Sequence, residues 1–266
     1  MAELRAGFDG VAELYDRIRP TYPPALFEEL FARLPPQPDV VEIGPGTGQA
    51  TGSLLAHGAR VTAVELGTNM ARRLGRNFEG REELHIVVSS FEDVALPSHS
   101  FDAVVAATAF HWIVAPANLE KPFELLRPGG LLAIIDTVQV AAPSDEGFFA
   151  RAQPIYTTHG QGRDDPPLAS PEQATSPFVT ALAHSSFYDT PLLFRHRWDQ
   201  TYATSAYGDL MRSYSGSQAM PEEEREALIA EMSQLIDREF GGRITRPLVI
   251  TLTLARAVDH PRHSRR

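Results

Sequence analysis

Three glycines at alternate positions are the feature of the sequence that points most directly to ligand chemistry. Gly44, Gly46 and Gly48 follow the apolar run Val40–Ile43. Glycine adopts positive φ readily and has no Cβ to keep a ligand away from the backbone. In an open α/β sheet, nucleotide-like ligands bind where a buried strand ends in such a loop and a helix follows. The run therefore predicts a nucleotide-like ligand at this bend.

Acidic side chains accompany the glycine loop. Glu65 ends the next apolar run, where a carboxylate is suited to accept hydrogen bonds from both hydroxyls of a ribose. Glu42 is a carboxylate on an otherwise apolar strand, so it needs a partner such as a cationic ligand or an ordered amino group. A polar segment that would suit an adenine follows the third apolar run and includes Ser90, Phe91 and Glu92. The alternative interpretation is that Glu65 and Glu92 are surface helix caps.

The glycine spacing separates the loop from two other nucleotide-binding loops. A Gly-x-Gly-x-x-Gly dinucleotide fingerprint that begins at Gly44 would need glycine in place of Gln49, and one that begins at Gly46 would need glycine in place of Thr51. No Gly-Lys-Ser/Thr follows the glycines, so a phosphate-binding Walker A loop is absent. The spacing favours a mononucleoside, and an NAD(P)-dependent oxidoreductase is the alternative from the same type of fold.

The elements that must position these residues alternate between strands and helices. Apolar runs typical of buried strands occur at Val40–Ile43, Val61–Val64, Leu84–Val88, Ala103–Ala107 and Leu131–Ile135. The segments between them predict helices at Gln49–His57, Asn69–Phe78 and Pro116–Leu126. Such alternation predicts an α/β fold with a mostly parallel sheet covered by helices on both faces.

The flanking segments predict a division into four parts. These are an N-terminal helical lid at 1–38, an α/β core at 39–140, a cap and substrate region at 141–243, and a final core strand and tail at 244–266. Within the third part, 141–191 lacks regular periodicity and 160–167 is predicted to be a loop. A strand at about 192–199 is expected to join the core sheet, and helices are expected at Thr204–Tyr214 and Pro221–Phe240.

The order and spacing of these motifs resemble the class I S-adenosylmethionine (SAM)-dependent methyltransferase family, which has a Rossmann-like fold. The resemblance covers about residues 8 to 136 and includes Glu42–Gly48, Val64–Met70, Ser90–Glu92, Phe101–Val105 and Leu126–Gly130. The remainder is similar only to a small-molecule, bacterial-type branch.

That resemblance implies roles for particular residues. The glycine loop is expected to lie under the methionine part of SAM and Glu65 to bind the ribose. Leu66 and Met70 are expected to flank the adenine, and Ser90 and Phe91 to contact its edge. The expected cofactor-binding set is completed by Glu42, Glu92 and Thr108.

The N-terminal segment Tyr15–Pro23 also resembles that branch, in which such a segment closes over the cofactor. Tyr15, Arg19 and Tyr22 are therefore candidate lid contacts, and Arg19 is a candidate partner for the carboxylate of SAM. The alternative is an amphipathic helix with a solvated arginine.

Methyl transfer from a sulfonium requires positioning rather than an obligatory catalytic motif, and a base is needed only when the acceptor must lose a proton. His111, which follows the fourth apolar run, is the candidate base because a histidine titrates near neutral pH. The alternative is that His111 and Trp112 pack structurally beneath the cap.

Composition and the motifs that are absent limit the kinds of partner that we expect. The formal net charge of −10 argues against a nucleic-acid substrate, as does the absence of an Asn/Asp-Pro-Pro-Tyr/Phe motif. No cysteine, metal-ligand spacing, signal peptide or membrane-spanning run is present, so we expect a cytoplasmic enzyme without a metal or membrane partner. The expected function is methylation of a small molecule. A SAM-binding protein without methyl transfer is a further alternative, and the acceptor and oligomeric state stay open.

Overall fold

The structure of the protein is a computed structural model that describes residues 8–162 and 168–259. The chain divides into two compact units. The helical unit comprises Met1–Arg19, Val138–Ala174 and Arg197–Val249; the sheet unit comprises Pro20–Thr137, Thr175–His196 and Ile250–Arg266. Residues 1–38 and residues 141–243 each contribute to both units, and the division into four parts stays a prediction.

The described residues form nine strands and ten α-helices. The strands are β1 (Asp39–Ile43), β2 (Arg60–Glu65), β3 (Leu84–Val88), β4 (Phe101–Ala107), β5 (Leu126–Gln139), β6 (Leu192–Arg197), β7 (Gln200–Ala203), β8 (Arg243–Arg246) and β9 (Leu248–Arg256). The helices are α1 (Ala12–Ile18), α2 (Pro24–Phe31), α3 (Thr51–Ala56), α4 (Thr68–Asn77), α5 (Ala117–Leu125), α6 (Phe148–Thr158), α7 (Val179–Ala183), α8 (Thr204–Arg212), α9 (Ser215–Gln218) and α10 (Glu222–Glu239).

Seven strands form the main sheet in the order β3-β2-β1-β4-β5-β9-β6. β1 is parallel to both β2 and β4, with Glu42 opposite Ala63 on one side and Val105 on the other. The predicted mostly parallel α/β sheet is confirmed, as is the placement of two late strands, β6 and β9, in it. Because the chain winds outward from β1 in both directions, a crevice opens at the carboxyl ends of β1 and β4, which is the usual ligand position in such sheets.

Apolar side chains from the strands and the covering helices form the core of the sheet unit. Val41, Val104 and Leu132 are fully buried in one cluster with Phe110 and Tyr188. The Tyr188 hydroxyl donates to the carbonyl of Leu119 at 2.9 Å, which satisfies the one polar group of that buried ring. This core holds the carboxyl ends of the strands in fixed register.

The helical unit has a separate core. Phe148 packs edge-on against Tyr207 and Phe240, with ring centroids 5.4 Å apart in both pairs. The predicted helix at Pro221–Phe240 is confirmed as α10, whose Leu228, Met232 and Ile236 side chains are buried in this core.

Two features of the helical unit were not predicted. α6 lies in a segment that was expected to be irregular, and it includes Pro154, which has no N–H for the helix. β7 and β8 form a two-stranded antiparallel sheet, and each has only four residues. Most of the predicted loop at 160–167 and the last seven residues of the predicted final segment 244–266 lie outside the described residues.

Candidate cofactor-binding site

The glycine loop adopts a backbone that only glycine accommodates without strain. Gly44, Gly46 and Gly48 have φ values of 60°, 60° and 109°. A Cβ on Gly44 would lie 2.8 Å from the Cβ of Ala109, and one on Gly48 would lie 2.3 Å from the ring of Phe78. No side chain therefore covers the backbone of the bend at Gly44 or at Gly48.

Glu65 fixes this loop to the end of β2. Its Oε2 accepts the N–H of Gly46 at 2.9 Å, and its Oε1 accepts the N–H of Gly67 at 2.8 Å. The side chain is 8% exposed. A carboxylate has about four acceptor positions, and hydroxyl groups are among the donors that it accepts. Glu65 thus has the chemistry expected of a ribose ligand, and it also orders the loop, a role that the sequence did not reveal.

Glu42 is a buried carboxyl group beneath the loop. Its Oε2 accepts a hydrogen bond from the Thr51 hydroxyl at 2.6 Å, while its Oε1 is buried and has no partner among the described residues. Burial, with a smaller contribution from the charge of Glu65, raises the pKa of Glu42 from 4.5 to about 7. An unpartnered buried acceptor is costly, so this oxygen fits a ligand that brings a positive charge or a donor.

Polar contacts beyond the predicted set support the loop from α3 and α4. Asn77 donates from Nδ2 to the carbonyl oxygen of Thr47 at 2.9 Å. Thr51 is fully buried and donates the one hydrogen bond that the Glu42 side chain accepts within the described residues. Neither residue belongs to the predicted set, although a threonine three residues after the last glycine of such a loop is a recognisable signal.

Thr108 lies at the end of β4 in a strained conformation. This β-branched residue has a φ of 52°, which is rare outside glycine. Its N–H donates to the Ile135 carbonyl at 2.7 Å, and its hydroxyl lies 3.0 Å from that of Tyr22. Because Ala109 follows directly and approaches Gly44, the structure brings Thr108 and Tyr22 close to the glycine loop. Strain of this kind is often found at functional sites.

The residues expected around the adenine differ in how far they are buried. Met70 and Phe91 are each 2% exposed and belong to the core, whereas Leu66 is 40% exposed. The Ser90 hydroxyl donates to Asp93 Oδ2 at 2.6 Å, and the backbone carbonyl of Glu92 accepts from Lys121. These residues follow β2 and β3, and their contact with adenine stays a prediction.

The candidate base and two of the candidate lid residues contact protein side chains. His111 lies in a short 3₁₀ segment, with its ring 4.8 Å from that of Trp112. Desolvation by surrounding protein atoms lowers the pKa of His111, so the imidazole is neutral at neutral pH. Tyr15 and Arg19 belong to the helical unit, where Arg19 stacks on Tyr15 and donates to the carbonyl of Ser213 at 2.8 Å. The base and lid roles stay predictions.

The described residues contain no cluster of three or more histidine, aspartate or glutamate side chains that could hold a metal ion. Within the same part of the chain, no helix has the length and apolar character needed to cross a bilayer.

Comparison with known proteins gives consistent results. Residues 41–134 match the model of a methyltransferase domain. An uncharacterized methyltransferase of Mycobacterium tuberculosis is 26% identical over 236 residues, which cover 88% of this chain and 87% of that protein.

Two solved structures are also similar. One, described as a candidate type II methyltransferase from Anaeromyxobacter dehalogenans, is 25% identical with a TM-score of 0.56 and covers 90% of this chain and 97% of its own. The other, a phosphoethanolamine N-methyltransferase from Haemonchus contortus in complex with SAM, shares the fold at 13% identity and a TM-score of 0.54, covering 94% of this chain and 57% of its own.

Proposed function

Because the chain belongs to the class I SAM-dependent methyltransferases, we propose that it transfers the methyl group of SAM to a small-molecule acceptor by in-line displacement. The observation that carries the cofactor assignment is the glycine loop held by Glu65, next to the unpartnered buried oxygen of Glu42. The side chains present fit SAM. Glu65 would bind its ribose hydroxyls, and Glu42 would interact with its positively charged methionine part.

When bound, SAM would supply a methyl group activated by the positively charged sulfur to which it is bonded, and that sulfur would leave as a neutral thioether. The residues of this chain need to align the acceptor with the S–CH₃ bond and to exclude water from it. Transfer would break the bond between the methyl carbon and sulfur as the bond between that carbon and the acceptor atom forms. A proton then leaves only from an acceptor that carries one on its nucleophilic atom, and His111 is our candidate to receive it.

The choice of a small molecule rests on charge and motif. The net charge of −10 disfavours association with a phosphate backbone. The motif with which some family relatives methylate the exocyclic amines of bases is absent from the sequence. We assign the remaining cofactor contacts to Leu66, Met70 and Ser90–Glu92 on the strength of the motif match alone.

The test is a mass-spectrometric screen of the purified full-length protein with isotopically labelled SAM and a library of small amines, alcohols, carboxylic acids and phosphates. We expect acceptor-dependent formation of S-adenosylhomocysteine and a product heavier by one labelled methyl group. SAM binding without turnover on any acceptor would favour a SAM-binding protein over an enzyme. Binding of a nicotinamide dinucleotide in place of SAM would overturn the assignment.

A further inference from the structure

A largely buried guanidinium in the helical unit has no acidic partner among the described residues. Arg246 ends β8, and its Nη1 donates to the Tyr214 hydroxyl at 2.5 Å while its Nη2 donates to Gln139 Oε1 at 3.0 Å. The third nitrogen of the guanidinium, Nε, is buried and has no partner among the described residues. All hydrogen-bond partners of this cation within the described chain are neutral. A buried charge that is neither paired nor fully hydrogen-bonded is costly, so the arrangement needs a reason.

A second unpartnered polar group lies on the same face of the two-stranded sheet. Tyr202 on β7 pairs with Ile244 on β8, and Arg246 is two residues further along β8. Side chains in this diagonal relation share a face and are within reach of each other when they are long. The Tyr202 hydroxyl is buried and has no hydrogen-bond partner in the described residues. Burial raises the pKa of Tyr202, so at neutral pH this hydroxyl is a donor.

A second guanidinium adds positive charge to the same cluster. The Cζ of Arg19 lies 4.8 Å from the ring centroid of Tyr214, and the Cζ of Arg246 lies 5.9 Å from that centroid. Arg19 uses its donors on the hydroxyl and carbonyl of Ser213, which are neutral groups. Two cations therefore share one aromatic ring, and the hydrogen bonds that hold them in the described chain involve no carboxylate.

We propose that the helical unit contains an oxyanion-binding site, in which the Nε of Arg246 and the hydroxyl of Tyr202 donate to a carboxylate or phosphate group of a small ligand. The anion would satisfy both unpartnered donors and offset the positive charge of the cluster. Charge-assisted hydrogen bonds from a guanidinium to an oxyanion are about twice as strong as neutral ones. Tyr214 and Gln139 hold the guanidinium in place, so little ordering would be needed on binding.

The test measures binding of three probes to the full-length protein without SAM, at constant ionic strength. Acetate and inorganic phosphate represent the two oxyanions, and acetamide is the neutral counterpart of acetate. We expect at least one anion to bind at least tenfold more tightly than acetamide by calorimetry or NMR titration. The stronger of the two anions identifies the chemistry. Equal affinity for acetate and acetamide, with no binding of phosphate, would overturn the proposal.

Three variants distinguish a specific anion-binding site from nonspecific electrostatic attraction. Arg246→Gln should weaken anion binding at least tenfold, whereas Arg243→Gln, which removes an exposed charge from the same strand, should leave it unchanged. An equal loss in both variants would mean that only net charge matters and would refute the site.

Tyr202→Phe removes a single hydroxyl from a ring that otherwise stays in place, and it tests the site even if Arg246→Gln does not fold. We expect it to weaken anion binding about fivefold, and unchanged binding would count against the proposal. These measurements are independent of methyl transfer, so the site and the proposed function can fail separately.

Discussion

Glu42 gives a quantitative prediction for the dependence of stability on pH. In the folded protein its pKa is about 7, against a usual value of 4.5. The folded state therefore keeps the proton to higher pH than the unfolded state does, and the free energy of unfolding falls as the pH rises through this window. At about 1.4 kcal/mol for each pH unit, the full effect is about 3 kcal/mol, of which about 2 kcal/mol falls between about pH 5.5 and about pH 8.5.

The substitution that isolates this effect is Glu42→Gln. Glutamine has nearly the same shape, keeps an oxygen that can accept from Thr51, and cannot ionise. We expect urea unfolding of the ligand-free wild type to lose about 2 kcal/mol relative to Glu42→Gln between about pH 5.5 and about pH 8.5. Glu82→Gln, which removes an exposed carboxylate, controls for net charge and should follow the wild type. Parallel pH profiles for the wild type and Glu42→Gln would show that Glu42 ionises normally and would refute the argument.

Three further predictions concern the loop and the base. Glu65→Gln places an amide donor against a backbone N–H, so the dissociation constant of SAM should rise at least tenfold by calorimetry; an unchanged constant would remove the ribose assignment. Gly48→Ala should lower the free energy of unfolding by about 3 kcal/mol or more, because it combines a positive φ with overlap on Phe78. Gly58→Ala has the positive φ but open space, so a loss as large there would show that overlap contributes nothing. His111→Asn should lower kcat about 100-fold with unchanged SAM affinity; an intact kcat would assign His111 to packing.

Most of the main sheet was predictable because β1 to β5 appear as apolar runs, and β1 and β4 at its centre are buried on both faces. β3 has the predicted bounds, Leu84–Val88, and β1 differs by one residue. The glycine loop was predictable for a related reason, since its backbone excludes other residues. α6 was not predicted, although Phe148, Ala152 and Ile155 recur at helical spacing, because the segment around it is rich in prolines and small polar residues.

Contacts between distant parts of the chain were beyond sequence reasoning. Glu65 was assigned to a ligand alone, yet it also accepts the N–H of Gly46, a contact that depends on how the loop folds back on β2. In the helical unit, the grouping of Arg19 and Arg246 around Tyr214 could not be predicted either. It requires the pairing of two four-residue strands whose pattern is too short to recognise.

The close approach of Ala109 to Gly44 restricts how this site can evolve. A side chain at position 44 would occupy the volume of the Ala109 methyl group, and a larger residue at position 109 would press on the peptide that follows β1. The two positions should therefore covary among homologues as a pair of small residues. A lineage that enlarges one of them would have to widen the crevice between β1 and β4, and in doing so would change the size of molecule that the crevice admits.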